Sequence, residues 1–270
     1  MTSTQKKTAV VTGASAGLGV AYAQRLADRG FDLVLVARNT ERLDELASNI
    51  RSRTGRAVDV LTVDLTDTAQ LSTVEERLRT DDTVEVLINN AGAGLFTPLT
   101  ASDAAASEAL ISLNVTALTR LTTAVLPGLT TRGHGTVVNI SSALALNILP
   151  VSAVYSGTKS YVLTFTQALQ QELSRSAVVV QAVLPGAVRT EFWDDSGADL
   201  ASFPDESIMT ADDVVDAALA GLDAGEAVTI PSLPNITDWE SYETARQVLG
   251  AQVSHRVPAD RYRDQAHVGV

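Results

Sequence analysis

Short, almost wholly apolar runs rich in β-branched residues alternate along this chain with longer stretches whose apolar residues recur every three or four positions. The runs at 8–12, 32–37, 57–63, 84–89, 135–141, 178–184 and 227–230 read as strands. Leu33-Val34-Leu35-Val36 and Val178-Val179-Val180 are apolar at consecutive positions, the pattern of strands buried on both faces. The stretches 17–29, 40–54, 68–79, 103–131, 152–174 and 211–224 read as helices, and 237–252 as one more. In the second of these Thr40 is suited to capping, and Leu43, Leu46 and Ile50 recur at helical spacing. Strand–helix alternation over most of the chain predicts an α/β fold, a doubly wound parallel sheet with helices on both faces.

No internal repeat, low-complexity segment or linker interrupts the pattern, so 1–270 reads as a single domain. Within it, 190–210 mixes acids, Gly and Pro with Phe192, Trp193, Phe203 and Ile208, the texture of a substrate loop. Residues 231–270 read as an acidic C-terminal extension whose last dozen residues are disordered.

Of the 270 residues, 45% are apolar and 19% charged, enough for a sizeable core and too apolar for global disorder. The absence of Cys removes disulfides, thiolate metal sites and a Cys nucleophile. The three histidines, His134, His255 and His267, form no close pair, so no metal site is expected. The net charge of −12 is uneven: 1–190 hold 16 basic and 16 acidic residues, 191–270 hold 4 and 16. Neither part supplies the basic face a nucleic-acid partner requires, and the acidic part reads as a solvated surface. No segment approaches the ~20 apolar residues of a membrane span, and the polar N-terminus is not a signal peptide. A cytoplasmic protein without nucleic-acid or membrane partners is expected.

The first strand runs into Thr12-Gly13-Ala14-Ser15-Ala16-Gly17-Leu18-Gly19 and then a helix, the setting a dinucleotide turn requires. Glycines let the backbone approach a pyrophosphate, whose charge is stabilised by amides at a helix N-terminus. The second strand ends Val36-Ala37-Arg38-Asn39. An acid there would meet the ribose hydroxyls of NAD, whereas an arginine accommodates the extra phosphate of NADP. Arg38, with Ser15 adding a hydroxyl, therefore favours NADP(H) over NAD(H). Asp64-Leu65 and Asn89-Asn90-Ala91-Gly92 end the third and fourth strands, at the sheet edge where ligands bind in this architecture. Taken alone, Asp64 is a helix-capping or turn residue.

Tyr155 and Lys159, four residues apart on a helix, share a face. An ammonium beside a phenol lowers its pKa, giving a proton donor and acceptor able to act near neutral pH. The chain has 17 Arg and only three Lys, two of them Lys6 and Lys7. The single internal lysine thus marks a site that needs a compact, rotatable ammonium. Ser142 ends the fifth strand, where its hydroxyl can donate to a substrate oxygen. Asn114, a poor helix former within the long helix, reads either as a polar contact between helices or as the holder of a water on the proton path from Lys159.

The ordered set Thr12-Gly13-x3-Gly17-x-Gly19, Asn89-Asn90-Ala91-Gly92, Asn114, Ser142, Tyr155-x3-Lys159 and Pro185-Gly186-x3-Thr190 resembles the short-chain dehydrogenase/reductase family over about residues 6–230. The resemblance implies a Rossmann-type sheet of seven parallel strands in the order 3-2-1-4-5-6-7. It implies a Ser–Tyr–Lys centre at Ser142, Tyr155 and Lys159, with Asn114 in the proton relay. It places Pro185, Gly186, Val188 and Thr190 at the nicotinamide, Asn90, Ala91 and Gly92 along the cofactor, and Asp64 with Leu65 at the adenine. Gly13, Ser15, Gly17, Leu18, Gly19 and Arg38 complete the cofactor set. It also implies association into homotetramers or homodimers through the helices 103–131 and 152–174. The motif here is Tyr155-Ser156-Gly157-Thr158-Lys159 where the family often has Tyr-x-Ala-Ser-Lys. Leu144-Ala145 and Ile148 stand where Ala-Gly and Gly are frequent; these departures touch the substrate pocket, not the chemistry.

The expected reaction is reversible NADPH-dependent reduction of a ketone or aldehyde, with Tyr155 as proton donor. Leu95, Phe96, Leu144, Ala145, Leu146, Phe192, Trp193 and Phe203 make an apolar lining for a small carbonyl substrate, with Arg189 the one nearby cation. Two alternatives stay open: an NAD-dependent alcohol or steroid-type dehydrogenase, and a non-catalytic NADP(H)-sensing protein.

Overall fold

In the structure, a computed structural model that describes residues 6–263, the alternation predicted above forms one seven-stranded parallel sheet. Its strands are β1 (Thr8–Thr12), β2 (Asp32–Ala37), β3 (Val58–Thr62), β4 (Val84–Asn89), β5 (Gly135–Ile140) and β6 (Val178–Val183). After β7 (Ala187–Arg189) and β8 (Ile208–Thr210), β9 (Val228–Thr229) completes it. The order is β3-β2-β1-β4-β5-β6-β9, so β9 is the seventh strand the family resemblance implies. The succession reverses between β1 and β4, which leaves a crevice at their carboxyl ends. The short parallel pair β7–β8 was not expected; it frames the ends of the loop 190–207.

Alternation along the strands splits the core into two layers. On one face Ala9, Val11, Leu33 and Leu35 pack on α1 (Gly17–Asp28) and α2 (Thr40–Thr54) through Tyr22, Leu26, Leu43 and Ile50. On the other, Val10, Val34, Val36 and Leu87 meet α3 (Thr68–Thr80) through Leu71, Val74 and Leu78. Each leucine withdrawn from water in this way contributes about 1.5–3 kcal/mol. Side-chain caps start α2, where Asn39 Oδ1 accepts from the N–H of Arg42 at 3.0 Å, and α3, where Asp67 Oδ1 accepts from Ala69 and Gln70 at 2.9 Å.

The long helix at 103–131 is interrupted. α4 (Ala104–Ile111) passes through a π-helical turn at Ser112–Ala117 into α5 (Leu118–Arg132). Against the expectation of no span-like segment, Ala104–Arg132 is long and apolar enough, by length and composition, to cross a membrane. In this fold α5 lies on β4, β5 and α3, with Leu121, Val125 and Leu129 completely buried. α6 (Ala153–Glu172) packs on β6, and α7 (Ala211–Asp223) on α1.

The chain divides into two compact units, one ending at Pro231 and one beginning at Ser232. The second contains α8 (Ile236–Gly250), whose Trp239 and Tyr242 rings stack at 5.5 Å, and the single turn α9 (Asp260–Arg263). The rest of the expected disordered tail, 264–270, and His267 lie outside the described residues.

The acidic surplus is not in that extension: 191–231 hold eleven acidic and no basic residues, 232–270 five and four. Part of it serves packing rather than solvation. Arg25 of α1 meets Asp212 at 2.9 Å and Asp216 at 2.7 Å, and Arg29 meets Asp223 at 2.7 Å, pinning α7 to α1.

Candidate active site

The glycine turn between β1 and α1 is shaped by backbone geometry. Gly13 and Gly17 have φ of +65° and +50°, conformations that suit glycine. A Cβ on Gly13 would stand 2.8 Å from Asn90 Nδ2 and 2.9 Å from Ala91 Cα. A Cβ on Gly19 would come within 2.1 Å of the Gly13 carbonyl oxygen. The turn is clamped from β4: Asn90 Nδ2 donates to the carbonyls of Thr12 at 2.9 Å and Gly13 at 3.2 Å. Thr12 Oγ1 accepts from the N–H groups of Asn90 and Ala91, each at 3.0 Å. Asn90 thus acts on the turn itself, its amide spent on two carbonyls.

Two further observations fit a dinucleotide. The N-terminus of α1 has no side-chain cap and no acid in its first turn, so its amide dipoles are directed at an anion's place. The N–H of Ala14 donates to the Val36 carbonyl at 3.3 Å, bringing the turn to the end of β2. There Arg38 is exposed and, among the described residues, makes no ion pair; Ser15 makes no hydrogen bond. Arg38 also faces Asp64, whose pKa lies below the usual carboxylate value. That lowering comes first from the Thr66 hydroxyl and amide, with Arg38 a smaller cause. Asp64 Oδ1 accepts from both Thr66 groups, at 2.7 Å and 2.9 Å, so it closes a turn as well as standing at the cleft, beside buried Leu65.

Across the crevice, the chain after β6 turns at Pro185, whose carbonyl accepts from the N–H of Ala143 at 2.8 Å. A Cβ on Gly186 would meet nothing within 4 Å, so backbone is open there. Val188 is buried in β7. The methyl of Thr190 lies where a Cβ on Gly17 would be, 2.7 Å away. The fold therefore brings both predicted cofactor segments to one place.

Ser142, Tyr155 and Lys159 converge beside this crevice, at the end of β5 and the start of α6. All are buried. The Ser142 hydroxyl stands near enough to the Tyr155 side chain to lower its pKa and accepts from the N–H of Leu144 at 3.1 Å. Lys159 Nζ lies 5.7 Å from the centre of the Tyr155 ring and donates to the Ile140 carbonyl at 2.9 Å. Ser141 holds this turn of α6 by donating to the Lys159 carbonyl at 2.7 Å.

The expectation that Lys159 draws the phenol toward neutrality is corrected by burial. Loss of solvation pushes Tyr155 up to about 12, opposed by the nearby Ser142 hydroxyl, and pushes Lys159 down to about 8. At neutral pH the phenol holds its proton and the lysine is still largely an ammonium.

Asn114 sits in the π-helical turn, a device frequent at functional sites. Its Oδ1 accepts from the N–H of Ala93 at 3.0 Å, and its Nδ2 donates to the Ala93 carbonyl at 3.0 Å and to Thr158 Oγ1 at 3.1 Å. Thr158 Oγ1 in turn donates to the Tyr155 carbonyl at 2.7 Å. Of the two readings of Asn114, its side chain fulfils the polar contact, tying the segment after β4 to the tyrosine's helix. Thr158 was missed in the sequence; a polar residue on the buried face of a helix was the available signal.

The mouth beside Tyr155 is aromatic. Phe96 and Phe192 lie 5.2 Å and 5.8 Å from the Tyr155 ring, Trp193 stacks on Phe96 at 5.8 Å, and Phe203 meets Trp193 at 5.3 Å. Leu95 and Leu144 join the cluster, whereas Ala145 and Leu146 stand outside it. Arg189 is exposed and spent on Asp205, so no cation enters the mouth from that side. At its start the loop is tied to α2 by an exposed pair between Glu191 and Arg42.

A family model described as short chain dehydrogenase matches residues 7–201. A solved short-chain dehydrogenase from Sphingobium yanoikuyae in complex with NADPH is 46% identical, with a TM-score of 0.91 over 95% of this chain and 99% of that one. A bulky-bulky ketone specific alcohol dehydrogenase from Comamonas testosteroni is 40% identical, with a TM-score of 0.88 over 96% and 99%. Human 17-beta-hydroxysteroid dehydrogenase type 3 is 34% identical over 184 residues, 67% of this chain but 59% of that protein. With the sheet order, the glycine turn and the Ser–Tyr–Lys grouping on one edge, this chain belongs to the short-chain dehydrogenase family and is an oxidoreductase acting on carbonyl and alcohol groups.

Proposed function

We propose that the protein reduces bulky, apolar ketones with NADPH. The observation that carries this reading is the gathering of buried Ser142, Tyr155 and Lys159 at the aromatic mouth, with Lys159 Nζ 5.7 Å from the centre of the Tyr155 ring and Phe96 5.2 Å from it on ring centres. Bound NADPH would be held by Gly13, Ser15, Gly17, Leu18, Gly19 and Arg38 at its phosphates, by Asp64 and Leu65 at the adenine, by the Asn90–Gly92 backbone, and by Pro185, Gly186, Val188 and Thr190 at the nicotinamide. When bound there, it would supply the hydride for the carbonyl carbon. Ser142 and Tyr155 donate hydrogen bonds to the carbonyl oxygen as negative charge grows there. The Tyr155 proton then completes the alcohol, and the Lys159 ammonium stabilises the phenolate left behind. Asn114 and Thr158 hold the tyrosine's helix against the segment after β4, so orientation is set before substrate enters.

NADPH is favoured over NADH because β2 is followed by the exposed Arg38, which makes no ion pair among the described residues, rather than by a carboxylate. Bulky ketones are favoured because four aromatic rings and two leucines form the mouth and its one nearby cation is paired elsewhere. The reading includes a cytoplasmic homo-oligomer, supported by the exposed side of α4 and α6: Ile111 is exposed, and Tyr161, also exposed, stacks on Phe165 at 5.6 Å.

The test is loss of NADPH absorbance over a ketone panel running from aryl methyl to diaryl ketones, repeated with NADH. Turnover of the bulkier members with NADPH, and much weaker turnover with NADH, is expected. Equal use of the two cofactors contradicts the cofactor assignment, and inertness toward the whole panel contradicts the reductase.

A further inference from the structure

Gly94, two residues beyond the Asn90–Gly92 segment, lacks a positive φ, so no left-handed backbone demands glycine there. What a side chain there would meet is Phe192. A Cβ would stand 2.6 Å from Phe192 Cζ and 3.0 Å from both Phe96 Cε2 and Ser196 Cβ. The glycine is therefore a socket: the tip of the Phe192 ring occupies the space a side chain would take. The neighbouring Gly197, by contrast, has φ of +80°, a demand of the backbone.

The ring seated in this socket is one of two, with Phe96, that pack against the Tyr155 ring. Phe192 lies 5.8 Å from the Tyr155 ring, 6.4 Å from Phe96 and 5.3 Å from Trp193, ring centre to ring centre. Its neighbours are fixed. Trp193 Nε1 donates to the Val188 carbonyl at 2.8 Å, and the N–H of Phe96 donates to the Ser196 carbonyl at 2.8 Å, docking the loop on the 94–97 segment. Ser196 is fully buried at that junction. Tyr155, Phe96 and Trp193 pack around the partly buried Phe192 ring. A side chain at position 94 must displace the tip of that ring from its seat.

We infer that Gly94 and Phe192 are a matched pair that sets the width of the ketone site, Gly94 by receiving the ring tip and Phe192 by walling the space in front of the Tyr155 hydroxyl. This rests on the reductase reading and assigns its size selection to two residues on different segments. One methyl group in such a wall changes discrimination by about tenfold or more.

The experiment is a double-mutant cycle with Gly94→Ala, Phe192→Ala and the pair, assayed with NADPH on acetophenone and on 1,2-diphenylethanone. Gly94→Ala is expected to change the ratio of the two kcat/KM values about tenfold. The same substitution in the Phe192→Ala background, where no ring needs the socket, is expected to change it less than threefold. A readout independent of turnover uses the Trp239→Phe background, which leaves Trp193 as the only tryptophan. There Gly94→Ala is expected to shift Trp193 emission and raise its quenching by acrylamide, and Phe192→Ala to abolish that dependence on residue 94. If Gly94→Ala alone fails to fold, the pair folding restores the comparison and itself supports the clash. A wild type that reduces both ketones while Gly94→Ala acts equally with and without the Phe192 ring, and leaves Trp193 emission unchanged, overturns the pairing but not the reductase. A wild type that reduces neither ketone overturns both.

Discussion

Gly19 and Gly94 are both glycines for want of space, yet what crowds them differs in kind. At Gly19 the obstacle is backbone, the Gly13 carbonyl 2.1 Å from where a Cβ would be; at Gly94 it is ring tips and a serine side chain. That difference runs through the two halves of the site. The cofactor half is main chain clamped by the Asn90 and Thr12 side chains, and it tolerates little. The substrate half is aromatic packing on a loop, and it adjusts. A fold that must bind one invariant cofactor and a variable substrate separates the two demands in this way, rigid amides at the switch point and replaceable rings at the mouth.

The comparison breaks most visibly at Gly19. Gly19→Ala forces open the turn that presents its amides, and NADPH affinity measured by fluorescence titration is expected to fall about a hundredfold, or about 2.7 kcal/mol. Near-wild-type affinity would mean that the turn is as pliable as the mouth. Arg38→Gln comes next: removing the planar cation should raise the Kd for NADPH about thirtyfold while leaving that for NADH nearly unchanged. A loss shared equally by both cofactors would contradict a role at the extra phosphate.

A pH profile tests the centre between the halves. The folded Lys159 pKa of about 8 lies below its ordinary 10.5 because of burial, so the ammonium is complete below 8 and lost above it. Ketone reduction, followed as kcat/KM for NADPH to report the free enzyme, should be flat below pH 8 and fall about tenfold per unit beyond it. The stability linkage has the opposite sense: a depressed lysine pKa costs stability below 8, and that cost is relieved between 8 and 10.5. A profile flat to pH 10 would remove Lys159 from the reaction. The smallest effect belongs to Phe203, whose ring meets Trp193 and, among the described residues, no other ring of the site. Phe203→Ala is expected to change kcat/KM for a diaryl ketone about threefold, without effect on NADPH binding.

Much of this was legible beforehand, and unevenly for the same reason. The first six strands follow from runs such as Leu33–Val36, and the observed ends agree to within a residue because each run is bounded by polar or turn-forming residues. The glycine turn and the Tyr155–Lys159 spacing are local demands of backbone and helix geometry, so the chain displays them directly. β7 and β8 were not legible, being three residues each and stabilised by one another rather than by pattern. Nor was the π-helical turn, which inserts Asn114 without any change of hydrophobic period. The pKa shifts of Tyr155 and Lys159 depend on how completely α6 and the aromatic cluster exclude water, and the Gly94 socket depends on a ring nearly a hundred residues away. Both are properties of packing. The charge of 191–231 was visible but misplaced onto the extension, because pairing with Arg25 and Arg29 becomes plain only once α7 lies against α1.

The central claim is that the Tyr155 proton completes the reduction of a carbonyl beside bound NADPH, and Tyr155→Phe tests it most directly, since it removes one oxygen and keeps the ring packed between Phe96 and Phe192. The account predicts a fall of at least about a thousandfold in ketone-dependent NADPH oxidation, with NADPH affinity and thermal stability close to wild type. Retention of a tenth or more of the wild-type rate would contradict it.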